Sequence, residues 1–346
     1  MSNADPATDR AMMRRAIYLA TRASTSATSP NPRVGCVVTD GSTILSEGLF
    51  RADGGPHAEI DALSRLPPAT TMPRRGLTAY VSLEPCSIHG RTPPCADRLA
   101  SEGFGRVVVA ALDQTPGVCS QGLAILRRGG CNVSFGEEQD LAYALATPRN
   151  VFASERRPYT ILKQAVSADG FVGRRGQRVA ITGSMANLIS HQWRSEVDAI
   201  LVGVGTVLAD APSLRTRYVA GRNPHVVVLD PKGGLSPKQV ATYFPPSPDR
   251  EVCHLTGAAA SILRVQTFLY ERRVGKLLVE GGPATLRVFA KAGAWDEYRE
   301  WRSPSDLRPG PGEPIPAAVL EGRVVVNTAV SRDGLRIRTP LGGGAC

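Results

Sequence analysis

The sequence predicts an α/β protein of two domains. Its 346 residues exceed one ordinary domain of about 100–200 residues. Strand and helix patterns alternate in both halves, which is typical of sheets covered by helices on both faces. A charged joint ending in proline, Glu155-Arg156-Arg157-Pro158, separates the two series. We therefore expect domains at residues 1–152 and 153–346.

The first half opens with small and apolar residues at helical spacing over 7–23. An Asp40-Gly41 turn between two apolar runs predicts a β-hairpin of strands 34–38 and 44–50. The elements expected next are a helix near 57–66, a strand at 77–83, a helix near 94–103, a strand at 106–112 and a helix near 120–129.

The second half repeats this alternation after the joint. Its expected elements are strand 159–167, helix 184–194, strands 199–204 and 225–230, helix 261–272, strand 276–280 and helix 283–292. Residues 295–316 look irregular, because their aromatic residues precede a loop rich in proline and glycine.

Charge is distributed unevenly along the chain. Residues 1–152 hold 15 Arg, no Lys and 14 Asp or Glu, a formal charge of +1, so the other +9 of the total +10 lies in residues 153–346. A surplus in one half indicates an anionic ligand, such as a phosphorylated small molecule. A coding bias toward arginine is the alternative, since 36 of the 41 cations are Arg.

Cysteine usage and apolar segments indicate a cytoplasmic protein without a membrane span. Seven cysteines at irregular spacing do not form a disulfide framework. The N-terminal residues lack the apolar core of a signal peptide, and no apolar run approaches the roughly 18 residues of a transmembrane helix.

The strongest motif is His57-Ala58-Glu59 followed by Pro85-Cys86 and Pro94-Cys95. A catalytic zinc takes three protein ligands from His and Cys and leaves a fourth position for water. His57, Cys86 and Cys95 supply that set. Each motif alone could be a buried thiol or a histidine at a helix start, but their combination favours a metal centre.

Glu59 follows His57 by two residues, so its carboxylate can reach a metal-bound water without binding the metal. It is the predicted acid–base catalyst, carrying the proton to departing ammonia. The pattern matches the H-x-E and P-C signature of zinc nucleobase deaminases. In those enzymes two residues usually separate the cysteines, whereas eight separate Cys86 from Cys95.

Three stretches of the first half carry a family resemblance: SPNPRVGCVV (29–38), GGPHAEIDAL (54–63) and LEPCSIHGRTPPC (83–95). They resemble the deaminase half of the bifunctional riboflavin biosynthesis family, RibD. The resemblance implies a cytidine-deaminase-like α/β/α domain that binds Zn²⁺. It also implies substrate contacts from Asn31, His89, Arg91 and Thr92, although Arg91 could be an ordinary surface charge.

The second half resembles the reductase domain of the same family in LKQAVSADGFVG (162–173), residues 193–217 and LLVEGGPATL (277–286). This implies a dihydrofolate-reductase-like α/β fold, NADPH as cofactor and a homodimer. The implied reactions are deamination of 2,5-diamino-6-(5-phosphoribosylamino)pyrimidin-4-one and NADPH-dependent reduction of the ribosyl group. The partner is thus a small phosphoribosylaminopyrimidine.

Two features of the second half suggest ligand contacts from the residues themselves. Lys163 lies inside an apolar strand, where a lone ammonium is costly, so it needs an anionic or carbonyl partner unless the strand is a solvent-facing edge. Gly281-Gly282-Pro283 joins a strand to a helix and suits a phosphate, although it is also a common turn. Residues 203–208 do not complete a dinucleotide fingerprint, because the third glycine position holds Leu208.

The resemblance assigns roles to individual residues of this half. The implied substrate contacts are Lys163, Arg194, Leu214, Arg217 and Glu280. The implied cofactor contacts are Val166, Thr206, Asp210, Gly281, Gly282, Pro283, Ala284, Thr285 and Leu286. Arg215 is a further phosphate candidate, and Asp210 could instead be a solvated carboxylate.

Two alternatives to the bifunctional enzyme are open. Departures from the family pattern at Ala180 and Ala211 would permit the second half to be a ligand-binding scaffold without turnover. The chain could also be an RNA-editing deaminase with a basic RNA-binding domain. The near-neutral first half and the lack of an RNA-binding motif argue against an RNA-editing function. We therefore expect no nucleic-acid partner.

Overall fold

The computed structural model describes residues 5–89, 93–177, 179–308 and 312–341. The chain divides into two compact units, Met1–Arg156 and Arg157–Cys346. The boundary predicted after residue 152 lies inside the last helix of the first unit, which ends at Ser154.

The first unit has six α-helices and five strands among its described residues. In chain order these are α1 (Pro6–Arg22), α2 (Thr25–Thr28), β1 (Gly35–Asp40), β2 (Thr43–Leu49), α3 (Ala58–Leu63), β3 (Thr78–Leu83), α4 (Cys95–Ser101), β4 (Arg106–Ala111), α5 (Gln121–Arg128), β5 (Asn132–Phe135) and α6 (Gln139–Ser154).

The five strands form one sheet in the order β2-β1-β3-β4-β5. β1 is antiparallel to both neighbours, and β3, β4 and β5 are parallel. Because strand side chains alternate between faces, Val37 and Tyr80 pack with α1 and α6. Cys36 and Val81 pack with α3, α4 and α5 on the other face. This three-layer arrangement confirms the predicted α/β/α domain.

The second unit contains ten strands and five α-helices among its described residues. They are β6 (Tyr159–Val166), β7 (Phe171–Arg174), α7 (Ser184–Ser195), β8 (Ala199–Gly203), α8 (Val204–Asp210), β9 (His225–Asp230), α9 (Pro237–Tyr243), β10 (Val252–Thr256), α10 (Ile262–Glu271), β11 (Lys276–Val279), α11 (Pro283–Lys291), β12 (Glu297–Arg302), β13 (Pro314–Pro316), β14 (Arg323–Val330) and β15 (Asp333–Thr339).

Eight of these strands form a sheet in the order β10-β9-β8-β11-β6-β12-β15-β14. The first six are parallel, and the C-terminal hairpin adds two antiparallel strands. One face packs on α10 and α11 through Ile262 and Phe289. The other packs on α7 and α9 through Trp193 and Val240. The carboxyl ends of the parallel strands share one edge, where ligands bind in open α/β sheets.

One expectation from the sequence is wrong, and one helix is shorter than expected. The helix expected near 57–66 is present as α3, Ala58–Leu63. The segment 295–316, expected to be irregular, contains β12 and β13. β12 reads as a charged run, yet Glu300 is buried and pairs with the Tyr298 hydroxyl at 2.7 Å and the Arg302 guanidinium at 2.6 Å. Paired charges allow such a strand to lie inside a sheet.

Every helix among the described residues is too short or too polar to cross a bilayer.

Candidate zinc centre and reductase site

The three predicted zinc ligands meet where two helices begin. His57 immediately precedes α3, and Cys95 is the first residue of α4. Cys86 lies three residues beyond the end of β3. Its sulfur accepts a hydrogen bond from the backbone N–H of Cys95 at 3.3 Å, which favours the thiolate form. The two cysteines are therefore adjacent in space although eight residues separate them in the sequence.

The spacing of the ligand atoms fits a tetrahedral metal. His57 Nδ1 lies 3.6 Å from Cys86 Sγ and 3.3 Å from Cys95 Sγ, and all three ligand atoms lie within 4.8 Å of one another. Zinc bonds of roughly 2.1 Å to nitrogen and 2.3 Å to sulfur at tetrahedral angles would separate these atoms by about 3.6 Å. The side chains are thus preorganised for zinc, with His57 binding through Nδ1.

The pKa values of the cluster reflect its burial and mutual contacts. The Cys95 side chain hydrogen-bonds to Cys86 and lowers the pKa of that thiol to about 4, while the pKa of Cys95 is raised. The contact with Cys86 also raises the pKa of His57. Burial raises the pKa of Glu59 to about 7. A carboxyl group with such a pKa can both accept and release a proton near neutral pH.

Glu84 stabilises the turn that contains Cys86, and it was not identified from the sequence. Its buried carboxylate accepts backbone N–H groups of Asp113 at 3.2 Å, Ser120 at 3.0 Å and Gly122 at 2.8 Å. The start of α5 is thereby held against the end of β3. A charged residue directly before Pro85-Cys86 was the available signal.

The predicted substrate contacts of the first unit lie in surrounding loops. Asn31 is half-buried, and its side-chain Nδ2 donates to Asp53 Oδ1 at 2.8 Å. His89 is exposed. Arg91 and Thr92 lie outside the described residues.

In the second unit, three predicted substrate contacts form one buried ionic cluster. Glu280 accepts two hydrogen bonds from the Arg194 guanidinium, at 2.8 and 2.7 Å, and lies 3.7 Å from Lys163 Nζ. β6, which carries Lys163, is flanked by β11 and β12, so the lysine is on an internal strand and the edge-strand alternative is wrong. Burial alone would raise the pKa of Glu280, but the two cations lower it to about 2.

His191 joins this cluster and was missed from the sequence. Its ring is 1% exposed, and Nδ1 accepts the backbone N–H of Arg217 at 3.1 Å. Nε2 is buried without a hydrogen-bond partner among the described residues. Burial lowers the pKa of His191 to about 4, assisted by the charges of Arg194 and Arg217. The ring is therefore neutral at pH 7. His191 precedes Arg194 by three residues, so the shared helix face was the available signal.

The glycine-containing turn after β11 is closely packed. The Gly282 N–H donates to Thr206 Oγ1 at 3.0 Å and so joins the segment after β11 to the first turn of α8. A Cβ at Gly281 would lie 2.6 Å from the Thr285 side chain, and one at Gly203 would lie 2.4 Å from Thr285 Oγ1. A Cβ at either position would displace the Thr285 side chain, so glycine is favoured at both, and α11 starts directly at Pro283.

The remaining predicted contacts differ in accessibility. Val166, Leu214 and Leu286 are buried, so their side chains belong to the core. Leu214 has a left-handed backbone with φ +52°, as does Ala211, which ends α8 directly after Asp210, with φ +40°. The Arg217 guanidinium lies 5.6 Å from the centre of the Tyr218 ring. Ala284 occupies the first turn of α11.

Comparison with known proteins supports both units. Residues 6–111 match the cytidine and deoxycytidylate deaminase zinc-binding region, and residues 158–305 match the RibD C-terminal domain. The riboflavin biosynthesis protein RibD of Aquifex aeolicus is 34% identical over 87% of this chain and 88% of its own length. The chain belongs to the RibD family.

Solved structures extend the likeness over the whole chain. A Thermotoga maritima diaminohydroxyphosphoribosylaminopyrimidine deaminase/5-amino-6-(5-phosphoribosylamino)uracil reductase matches with a TM-score of 0.85 and 30% identity, covering 97% of this chain and 99% of its own. Acinetobacter baumannii RibD matches with a TM-score of 0.82 and 29% identity over 98% and 100%. The chain is accordingly a bifunctional riboflavin biosynthesis enzyme with a zinc-binding deaminase unit and an NADPH-dependent reductase unit. The scaffold and RNA-editing alternatives are not favoured.

Proposed function

We propose that the first unit deaminates 2,5-diamino-6-(5-phosphoribosylamino)pyrimidin-4-one with water, releasing ammonia. The second unit then reduces the resulting 5-amino-6-(5-phosphoribosylamino)uracil with NADPH and a proton to the ribitylamino compound. The observation that carries this proposal is the His57, Cys86 and Cys95 cluster with the buried Glu59 two residues from its histidine.

In the deaminase unit, His57, Cys86 and Cys95 would hold the zinc. When bound, zinc would act as a Lewis acid and lower the pKa of a water molecule, making a nucleophile available at neutral pH. Glu59, whose pKa is raised to about 7, would take a proton from the attacking water and give one to the departing amine. Asn31, His89, Arg91 and Thr92 bind the pyrimidine and its ribosyl phosphate.

In the reductase unit, Lys163, Arg194, Arg217 and Glu280 bind the substrate through their side chains, and Leu214, whose side chain is buried, binds it through its backbone. The buried ionic cluster holds its members in fixed positions on β6, α7 and the end of β11. Val166, Thr206, Asp210 and residues 281–286 bind NADPH, with Val166 and Leu286 contributing backbone atoms and the N–H groups at the start of α11 next to a phosphate. NADPH supplies the hydride, and the chain aligns it with the sugar carbon.

One experiment tests both activities. Zinc-loaded enzyme is given the diaminopyrimidine substrate with and without NADPH, and ammonia, NADPH absorbance and products are measured. Without NADPH we expect ammonia and the ribosylaminouracil to accumulate, and with NADPH we expect the ribityl product. Ammonia release without any NADPH oxidation would refute the proposed reductase activity alone. Absence of ammonia release would refute the proposed deaminase activity.

We further propose that the enzyme is cytoplasmic and forms a homodimer. A small phosphorylated substrate and biosynthetic activity are consistent with a cytoplasmic location. Light scattering of the purified chain tests the homodimer, since a monomer at micromolar concentration would contradict it.

A further inference from the structure

We propose that Asp53 is a positioning residue of the deaminase site, which fixes the side-chain amide of Asn31 so that its carbonyl oxygen faces the pyrimidine. This inference rests on the proposed function, because Asn31 is taken to contact the ring. It adds a specificity element in the loop before His57 that neither the zinc signature nor the inter-cysteine loop contains.

The two side chains connect the loops that lead into the site. Asn31 precedes β1, and Asp53 lies four residues before His57. The amide nitrogen of Asn31 lies 2.8 Å from Asp53 Oδ1. The backbone N–H of Asp53 also donates to the Ala27 carbonyl at 2.9 Å, so the loops are joined by backbone as well as by side chain.

The chemistry of the pair determines which way the amide points. An ionised carboxylate only accepts hydrogen bonds, so the Asn31 –NH₂ must face Asp53. The Asn31 carbonyl oxygen, on the other side of Cγ within the amide plane, then points away from Asp53. Without Asp53, the amide could rotate and present either its donor or its acceptor to the ligand.

A fixed acceptor suits the substrate. The amine-bearing edge of a diaminopyrimidinone presents N–H donors, and deamination replaces the amine by a carbonyl acceptor. Asn31 held in this orientation therefore recognises the donor edge and disfavours a ring that presents an acceptor there. Loss of one such neutral hydrogen bond weakens binding by roughly three- to tenfold.

Steady-state deamination by the full zinc-loaded chain tests the role. Asp53→Ala is expected to raise KM by roughly three- to tenfold with a smaller change in kcat. Asp53→Asn keeps an oxygen that can accept from Asn31, but its own –NH₂ can also donate, so its KM should lie between the wild-type value and that of Asp53→Ala. The exposed residue Asp40, at the end of β1, gives the control Asp40→Ala, which should leave KM unchanged.

A double variant that exchanges the two residues distinguishes an effect on the orientation of the Asn31 amide from an effect on folding. Asn31→Asp alone places two carboxylates together and should raise KM. Asn31→Asp with Asp53→Asn restores a donor–acceptor pair and keeps an acceptor toward the ring, so KM should return most of the way. Zinc content, measured by metal analysis, should equal that of wild type in all variants.

Three results would overturn the role of Asp53: an unchanged KM in Asp53→Ala, an Asp53→Asn variant as impaired as Asp53→Ala, or no recovery in the exchanged pair. Absence of ammonia release by the wild-type chain would instead refute the proposed function. The two failures are therefore distinguishable.

Discussion

Substituting Glu280 by Gln tests the energetics of the buried cluster most sharply. The Glu280 carboxylate compensates two cations, Arg194 with two hydrogen bonds of 2.8 and 2.7 Å and Lys163 at 3.7 Å. Its side chain is 9% exposed and those of Arg194 and Lys163 are 13% and 16% exposed, so water screens the charges poorly. Glutamine keeps the shape but leaves two buried cations without a counter-charge.

The size of the loss follows from this burial. Removing one partner of a buried ion pair costs about 3–5 kcal/mol. We expect the lower end, about 3 kcal/mol, because the Gln oxygen still accepts one hydrogen bond. For a unit of this size, each kcal/mol of lost unfolding free energy lowers Tm by about 2–4 °C. The Tm of the second unit should therefore fall by roughly 6–12 °C.

Tryptophan fluorescence measures this unit alone. All three tryptophans, Trp193, Trp295 and Trp301, lie in the second unit and are buried. Thermal unfolding followed by their emission therefore reports the reductase unit, while zinc content reports the deaminase unit and should not change.

Glu313 provides a matched control. Its carboxylate also pairs with an arginine, Arg175, at 2.7 Å, but the side chains are 68% and 73% exposed. Exposed pairs contribute little, so Glu313→Gln should hardly change Tm. A Glu280→Gln protein that unfolds at the same temperature as Glu313→Gln would refute the reasoning.

Two further variants test the acid–base groups. Glu59→Gln should lower kcat of deamination by about 10²–10⁴-fold while zinc content and reductase turnover remain; near-normal ammonia release would exclude Glu59 as the proton carrier. His191 has a folded pKa of about 4, below its unfolded value of 6.5, so only the unfolded chain takes up this proton between those pH values. The unfolding free energy of the second unit should therefore fall as pH drops from 6.5 to 4, by at most about 1.4 kcal/mol per pH unit from this group. His191→Gln should flatten that dependence in urea unfolding followed by tryptophan emission, and identical slopes in both proteins would contradict it.

The sequence predicted the zinc centre because its chemistry is local to short motifs. His57, Cys86 and Cys95 are each marked by neighbouring residues, and together they supply the three protein ligands that a catalytic zinc takes. The partner requirement of Lys163 was likewise predictable, since an ammonium on an internal apolar strand must be compensated. The structure supplies that partner as Glu280.

Contacts between distant segments could not be predicted in the same way. Asp53 meets Asn31 across 22 positions, and Arg217 meets His191 across 26. β12 was missed because its burial depends on charge pairs within the strand rather than on an apolar pattern. Such features follow from tertiary packing, which single-sequence periodicity does not contain.

Metal analysis of purified variants tests the central claim most directly. The wild-type protein should contain one zinc per chain, and His57→Gln, Cys86→Ser and Cys95→Ser should each lose most of it together with deaminase turnover. Cys119→Ser, which changes an exposed cysteine outside the cluster, should retain both. Stoichiometric zinc in a folded Cys95→Ser or His57→Gln protein would contradict the account.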